Sequence, residues 1–180
     1  MATSNAGSAR TRVFIMIKPL ALEYPGLVAE IEKSIRKTGT VLRPELRRVD
    51  RNLCRAHYVS DTPQAPRASA KHLPALVNYL EGRTVLSLVL EQNGATPFAA
   101  GRDFCDFIRS EIIGPSEPMK CEKKHIRYHA RSLHYRVPVA VPESDRISDY
   151  QPFAKDNLIH CSDSLKSAER EIALWYPSFG

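Results

Sequence analysis

Several signals that mark common protein classes are missing from this chain of 180 residues. No apolar run approaches the roughly 20 residues that cross a bilayer, which excludes a membrane-spanning helix. The polar start, MATSNAGSARTR, lacks the apolar core of a secretory signal, so we expect residues 1–11 to form a disordered tail. The four cysteines contain no CxxC pair, which favours reduced thiols in a cytoplasmic protein.

The signals of several catalytic classes are missing as well. There is no GxxxxGK(S/T) loop, so any nucleotide site in this chain is not a P-loop. There is no GxSxG elbow, which the nucleophilic serine of many Ser-His-Asp hydrolases requires. His125, His129 and His134 alternate with basic residues that would repel a cation, and this argues against a zinc site.

What the chain does contain is the composition of one globular domain, with 43% apolar and 26% charged residues. Its net charge of +6 is concentrated, because residues 120–136 carry six Lys or Arg against one acid, Glu122. Such a cluster favours an anionic partner: nucleic acid, a membrane surface or the phosphate groups of a small ligand. A solvated loop is the alternative, and charge alone does not decide between them.

The apolar pattern predicts the element order β-α-β-αα-β-α-β-α. The first helix follows Gly26, and we expect Gly39 to end it. The predicted strands are residues 13–17, 40–49, 84–92 and 156–160, and the later helices are 50–59, 70–82, 97–113 and 165–175.

This order resembles the split βαββαβ arrangement, an α+β ferredoxin-like sandwich with an antiparallel sheet covered by helices. Right-handed crossovers predict that the helices lie on one face of the sheet. Residues 114–156 hold five prolines and no glycine after Gly114, so no regular elements are assigned there. We expect residues 12–180 to form a single domain with an insertion at about 128–156.

Four side chains with useful chemistry stand out. Lys18 and His160 lie at strand ends, Tyr58 ends a short helix, and Arg127 lies in the basic loop. The ends of neighbouring strands converge in space, and lysine with arginine there favours an anionic group, most simply phosphate. A histidine beside such a group can take part in phosphoryl transfer as base or nucleophile. From the residues alone, a lone histidine such as His160 is more often a structural or surface residue, and a metal ligand is the less favoured alternative.

Several motifs together resemble one known family, the nucleoside diphosphate kinases. The matching stretches, in order along the chain, are VFIMIKP (13–19), GLVAEI (26–31), RAHY (55–58), LPALVNYL (73–80), GPSEP (114–118), IR (126–127) and NLIHCSDSLKSAEREIALWYP (157–177). The resemblance implies an enzyme that transfers the terminal phosphate of a nucleoside triphosphate to a diphosphate. The transfer uses Mg²⁺ and proceeds by two half-reactions through a phosphohistidine.

The resemblance also implies roles for individual residues. His160 would be the nucleophile, Glu171 would hold its other ring nitrogen, and Lys18 would act beside them. The expected nucleotide-binding residues are Lys18, Tyr58, His72, Arg109, Ser116, Arg127 and Asn157, with Ser162 near the histidine. Of these, Asn157 would contact the sugar, and His72 would stack on the base. The family also implies a homo-oligomer, either a hexamer or a dimer.

Some positions depart from the family pattern. Ser110 stands where an arginine is expected one turn before GPSEP, so Arg109 or Arg102 would have to replace it. Cys161 replaces the glycine after the histidine, and we expect it to act as a small residue more than as a redox group. A longer segment separates Arg127 from Asn157. The alternative function is therefore a weak or inactive family member that acts as a scaffold or nucleic-acid-binding module.

Overall fold

A four-stranded antiparallel sheet forms the centre of the structure, a computed structural model that describes residues 11–58, 73–94, 103–130 and 157–179. The strands are β1 (Arg12–Ile17), β2 (Gly39–Arg48), β3 (Thr84–Gln92) and β4 (Ile159–Cys161). Their order across the sheet is β2-β3-β1-β4, and every neighbouring pair is antiparallel. This arrangement agrees with the predicted ferredoxin-like α+β fold class.

Six α-helices accompany the sheet in the described residues. They are α1 (Pro19–Leu22), α2 (Pro25–Arg36), α3 (Arg51–Tyr58), α4 (Leu73–Leu80), α5 (Phe104–Phe107) and α6 (Leu165–Trp175). Helix α5 continues directly into a π-helical turn, Ile108–Ile113, and two short 3-10 turns follow at Pro118–Lys120 and Ile126–His129. No described helix has the length and apolar character needed to cross a membrane.

The helices cover both faces of the sheet, so the prediction that they lie on one face is wrong. Alternate residues of β1 point to opposite faces. Its odd-numbered residues, 13 to 17, pack with α2 and α5, whereas Phe14 and Met16 pack with α3, α4 and the end of α6. Two covered faces explain why β1 is a continuous apolar run rather than an alternating one.

Local signals fixed several element boundaries as predicted. The Asp50 carboxylate accepts the Leu53 N–H at 2.8 Å and caps α3. Gly82 takes a φ of +73° just after α4, a conformation that suits glycine. β2 tolerates Pro44 because it is an edge strand, with a register irregularity between Leu42 and Glu45.

Gly39 has a different role from the predicted one. Helix α2 ends at Arg36, and Gly39 is the first residue of β2, paired with Gln92. A Cβ atom at this position would lie 2.5 Å from the carbonyl oxygen of Glu91. The glycine is therefore required by the close approach of two strands and not by a helix end.

The last strand is shorter than predicted, and it starts later. Residues 156–160 were expected as strand, whereas β4 spans Ile159–Cys161. Leu158 has a φ of +70°, which turns the chain just before the strand. Several predictions lie outside the described residues, among them the tail at 1–10, the start of the helix at 97–102 and most of the inserted segment.

Candidate active site

His160 lies in the middle of β4, directly beside the central strand. It pairs with Met16 of β1, and its side chain is 19% exposed. On the following helix, α6, the carboxylate of Glu171 lies 3.3 Å from Nε2 of His160. The short link of residues 162–164 between β4 and α6 brings these two groups together. The structure thus pairs the predicted nucleophile with its predicted partner.

Glu171 is fully buried and ionised. Burial by itself would raise the pKa of this carboxyl, but the positive charge and hydrogen bond of His160 outweigh it. His57 and the Ser162 hydroxyl, which donates to Oε2 at 2.7 Å, add to this effect, and the pKa lies well below its ordinary value. An ionised carboxylate only accepts hydrogen bonds, so Nε2 of His160 carries the proton. In the neutral ring the lone pair is therefore on Nδ1, where it is available for attack.

The end of α3 forms an aromatic wall beside His160. The ring of His57 lies 4.5 Å from the His160 ring and that of Tyr58 lies 5.9 Å away, both edge-on. Nδ1 of His57 accepts the indole N–H of Trp175 at 3.2 Å, so Nε2 carries the proton in the neutral ring.

One group of side chains in this site could hold a metal. His57, His160 and Glu171 each bring a ligand atom within 4.8 Å of the other two. However, the bond from Trp175 uses the unprotonated nitrogen of His57, and Glu171 already accepts from Ser162. A metal would have to displace these bonds, so the arrangement suits the placement of protons around His160 better than metal binding.

A polar chain links the end of β1 to the segment before β4. The ammonium of Lys18, buried at the end of β1, donates to Oδ1 of Asn157 at 2.8 Å. The amide of Asn157 in turn donates to the carbonyl of Ser116 at 3.2 Å. Ser116 itself is exposed, and the left-handed Leu158 directs the chain from Asn157 into β4.

Arg127 bridges β4 and the loop that follows the π-helical turn. Its guanidinium donates to the Gly114 carbonyl at 2.7 Å and to the Ile159 carbonyl at 3.0 Å. Burial lowers the pKa of Arg127 to about 10, and the nearby charge of Arg109 adds to the shift. Arg127 is still protonated near neutral pH, and it holds a positive charge against the carbonyl of Ile159, the residue before His160.

The sequence comparisons identify the family. The sequence profile of the nucleoside diphosphate kinases matches residues 11–179. This chain belongs to the nucleoside diphosphate kinase family. It is 32% identical over 169 residues to the nucleoside diphosphate kinase of Rhodococcus opacus (strain B4), covering 93% of this chain and 96% of that one. It is also 32% identical over 165 residues to nucleoside diphosphate kinase 1 of Zea mays, covering 91% and 86%.

Two solved structures share the fold. The apo nucleoside diphosphate kinase of Encephalitozoon cuniculi superposes with a TM-score of 0.60 at 24% identity, covering 92% of this chain and 88% of that one. A nucleoside diphosphate kinase family protein from Babesia bovis gives 0.59 at 21% identity, with the same coverage. These structures confirm the predicted fold class. The profile match and the sequence relatives confirm the family, the enzyme class and the phosphotransfer predicted from the sequence motifs.

The π-helical turn accounts for the arginine that the family pattern expects at position 110, where this nucleoside diphosphate kinase chain has Ser110. In an α-helix the Gly114 N–H would bond to the carbonyl of Ser110, but here it bonds to that of Arg109 at 2.8 Å. The extra residue in the turn therefore moves Arg109 into the place one turn before Gly114. Its guanidinium reaches the loop after His160, where it donates to the Asp163 carbonyl at 3.3 Å.

The structure thus assembles most of the expected nucleotide-binding residues around one histidine. Tyr58 lies beside the His160 ring, Lys18 follows β1 and holds Asn157 just before β4, and Arg127 bonds to the Ile159 carbonyl of β4. Arg109 reaches the loop after His160 from the π-helical turn. Ser116 contributes its carbonyl to Asn157, and the residue is exposed. His72 and the alternative arginine, Arg102, lie outside the described residues, so their roles stay predictions.

Two features of the site had no counterpart in the sequence prediction. The sequence analysis assigns no role in the site to His57, which appears only within the RAHY match, or to Trp175, although their hydrogen bond shapes the wall beside His160. The available signal was the spacing of α3, which buries His57 on the same face as Leu53 and Cys54. Burial raises the pKa of the Cys161 thiol well above its ordinary value, which agrees with the predicted small-residue role.

Acidic side chains pair with some of the cations in the described part of the basic segment, residues 120–130. Lys120 pairs with Glu117 at 3.0 Å, and Lys124 pairs with Glu111 at 3.0 Å. Both ring nitrogens of His125 are engaged, with the Glu122 N–H and the Ser110 carbonyl, so His125 is a structural residue. Residues 131–136 lie outside the described part of the chain, and nucleic-acid binding stays a prediction.

Proposed function

We propose that His160 is the phosphoryl-carrying nucleophile of an active nucleoside diphosphate kinase. The observation that carries this proposal is the pairing of a half-buried imidazole with a buried, ionised carboxylate at 3.3 Å. That pairing holds Nε2 as the protonated nitrogen and the ring in one orientation, so that Nδ1 of the neutral ring keeps the lone pair needed for attack. No described feature favours the alternative of an inactive scaffold.

The reaction then proceeds in two matched steps. Nδ1 of His160 attacks the terminal phosphorus of a nucleoside triphosphate, the bond to the bridging oxygen breaks, and a nucleoside diphosphate leaves. As the ring gains positive charge, its Nε2–H bond to Glu171 strengthens. A second nucleoside diphosphate then attacks the phosphohistidine with its terminal oxygen, which restores the neutral ring.

The cations around His160 would stabilise the charge on the transferring group. We propose that Lys18, Arg109 and Arg127 bind phosphate oxygens, because each presents N–H donors at an element end near β4. Tyr58 would donate from the wall of α3, and the exposed Ser116 would offer its hydroxyl. Asn157, held by Lys18 at 2.8 Å, would contact the sugar.

We propose Mg²⁺ as the divalent ion of the reaction. The donors described around His160 are mostly cations and ring nitrogens, which do not form an oxygen cage for a hard ion. Such an ion fits this site when the phosphates of the nucleotide and water supply most of its ligands, with the exposed Asp163 carboxylate as the protein contribution. Bound in this way, it neutralises charge on the phosphate oxygens.

The proposal extends to the organisation of the chain. We propose one catalytic domain over residues 12–180 with a segment inserted after Arg127, which the profile match over 11–179 supports. His72 would stack on the base. A hexameric or dimeric assembly and a cytoplasmic location stay predictions.

Steady-state kinetics test this function. Initial rates with ATP and a second nucleoside diphosphate should give parallel double-reciprocal lines, the pattern of a covalent intermediate. H160Q should lose this activity, whereas H129Q, which changes an exposed histidine outside the site, should keep it. Intersecting lines, or activity retained in H160Q, would refute the proposal.

A further inference from the structure

Arg170 of α6 holds the main chain at the end of α3. Its Nη1 donates to the carbonyl of Ala56 at 2.7 Å, and its Nη2 donates to the carbonyl of His57 at 2.8 Å. The last four carbonyls of a helix have no partner within the helix, and one guanidinium here meets two of them. A positive charge at this end also complements the helix dipole.

The held turn is the one that faces His160. It carries His57 and Tyr58, whose rings lie 4.5 and 5.9 Å from the His160 ring. Arg170 thus contacts α3 through backbone atoms directly beside the tyrosine that is expected to bind the nucleotide. It also lies 3.6 Å from Oε1 of Glu171, too far for a hydrogen bond, so among the described residues its short bonds go to α3.

We propose that Arg170 is a positioning residue, which sets the place of Tyr58 for the nucleotide by clamping the last turn of α3 to α6. This inference rests on the proposed function. The planar fork of arginine suits two adjacent carbonyls, whereas lysine offers a single point of charge. The clamp acts on nucleotide use, and the attack by His160 itself does not require it.

Two phosphoryl donors separate these effects. ATP must be held by the nucleotide site, whereas phosphoramidate is a small donor that has neither a nucleoside nor a phosphate chain to be positioned, so it depends much less on that site. The second-order rate constant for phosphorylation of the protein is measured with each donor. The ratio of the two constants is independent of the fraction of folded protein, because misfolded molecules lower both equally.

R170Q should lower the ATP rate constant about tenfold or more and leave the phosphoramidate constant within about twofold of the wild type. R170K keeps the positive charge but not the planar fork, and its ATP rate constant should lie between those of R170Q and the wild type. The matched control is K166Q, which removes one exposed positive charge from the same helix and should change neither constant.

A double-mutant cycle locates the effect. If Arg170 acts through Tyr58, R170Q should change the ATP rate constant by no more than about twofold in a Y58A background. Equal losses with both donors, or full additivity with Y58A, would overturn the inference. An ATP rate constant that is the same in R170Q and in an active wild type would also overturn the inference. A wild type that neither donor labels would instead overturn the proposed function.

Discussion

The π-helical turn predicts an unusual response to deletion of one residue. Deleting Ser110 would leave four residue steps between Arg109 and Gly114, which is the spacing of an α-helix. The bond from the Gly114 N–H to the Arg109 carbonyl would then become an ordinary helical bond, with the arginine in the same place. Deleting Arg109 instead gives a chain of equal length in which Ser110 takes that place.

The size of the difference follows from the contact that Arg109 would make. A hydrogen bond to a charged group contributes about 1.5–3 kcal/mol, and the lower part of that range, about 1.5–2, suits an exposed guanidinium. Its present bond to the Asp163 carbonyl is long, at 3.3 Å, so little is lost when the side chain turns to phosphate. Loss of the arginine should therefore lower kcat/KM about 10- to 30-fold.

The assay is phosphate transfer from ATP to a second nucleoside diphosphate, with folding of each variant checked by circular dichroism. The Ser110 deletion should keep kcat/KM within about fivefold of the wild type, which corresponds to about 1 kcal/mol. The Arg109 deletion and R109A should both show the larger loss. A folded Ser110 deletion that is as impaired as the Arg109 deletion would refute the compensation by the π-helical turn.

Two further predictions concern the carboxylate and the edge strand. E171Q should lower kcat/KM by up to about 100-fold, because the His160 ring loses its charged partner. The pKa of Glu171 lies below its ordinary value, so its charge stabilises the fold above about pH 4.5. The difference in unfolding free energy between E171Q and the wild type should therefore shrink as pH falls below that value. A difference that stays constant with pH in urea titrations would contradict this. G39A should lower the unfolding free energy by about 1–3 kcal/mol, because its Cβ would meet the Glu91 carbonyl, whereas G26A, with open space around it, should leave Tm unchanged or raised. Equal Tm values for G39A and the wild type would contradict the argument that the close approach of β2 and β3 requires a glycine at this position.

The elements that could be predicted from sequence are those whose burial shows in the residues themselves. β1 and β3 are continuous apolar runs because both of their faces are covered, and their predicted limits differ by at most one residue from the observed ones. Helix α6 was equally clear, since its buried residues recur at helical spacing.

The features that could not be predicted depend on backbone conformations without a sequence signature. The positive φ of Leu158 shortens β4, although leucine rarely takes that conformation. The π-helical turn at 108–113 left only one trace in the sequence, an arginine displaced by a single position. Both lie next to the site, where departures from regular geometry are expected to concentrate.

The partners of His160 were predictable by resemblance and not by spacing. Glu171 is eleven residues away, and only the turn between β4 and α6 brings it to Nε2. The positions of His57 and Arg170 depend on how α3 packs against α6, which no local pattern specifies.

The central claim is that His160 carries the phosphate, and isolation of the phosphorylated protein tests it most directly. The wild type, mixed with γ-labelled ATP and quenched in alkali, should retain label that is stable in alkali, labile in acid and mapped to the peptide containing His160. Unlabelled nucleoside diphosphate should remove it. Absence of such label, its presence on another residue, or equal labelling of H160Q would contradict the claim.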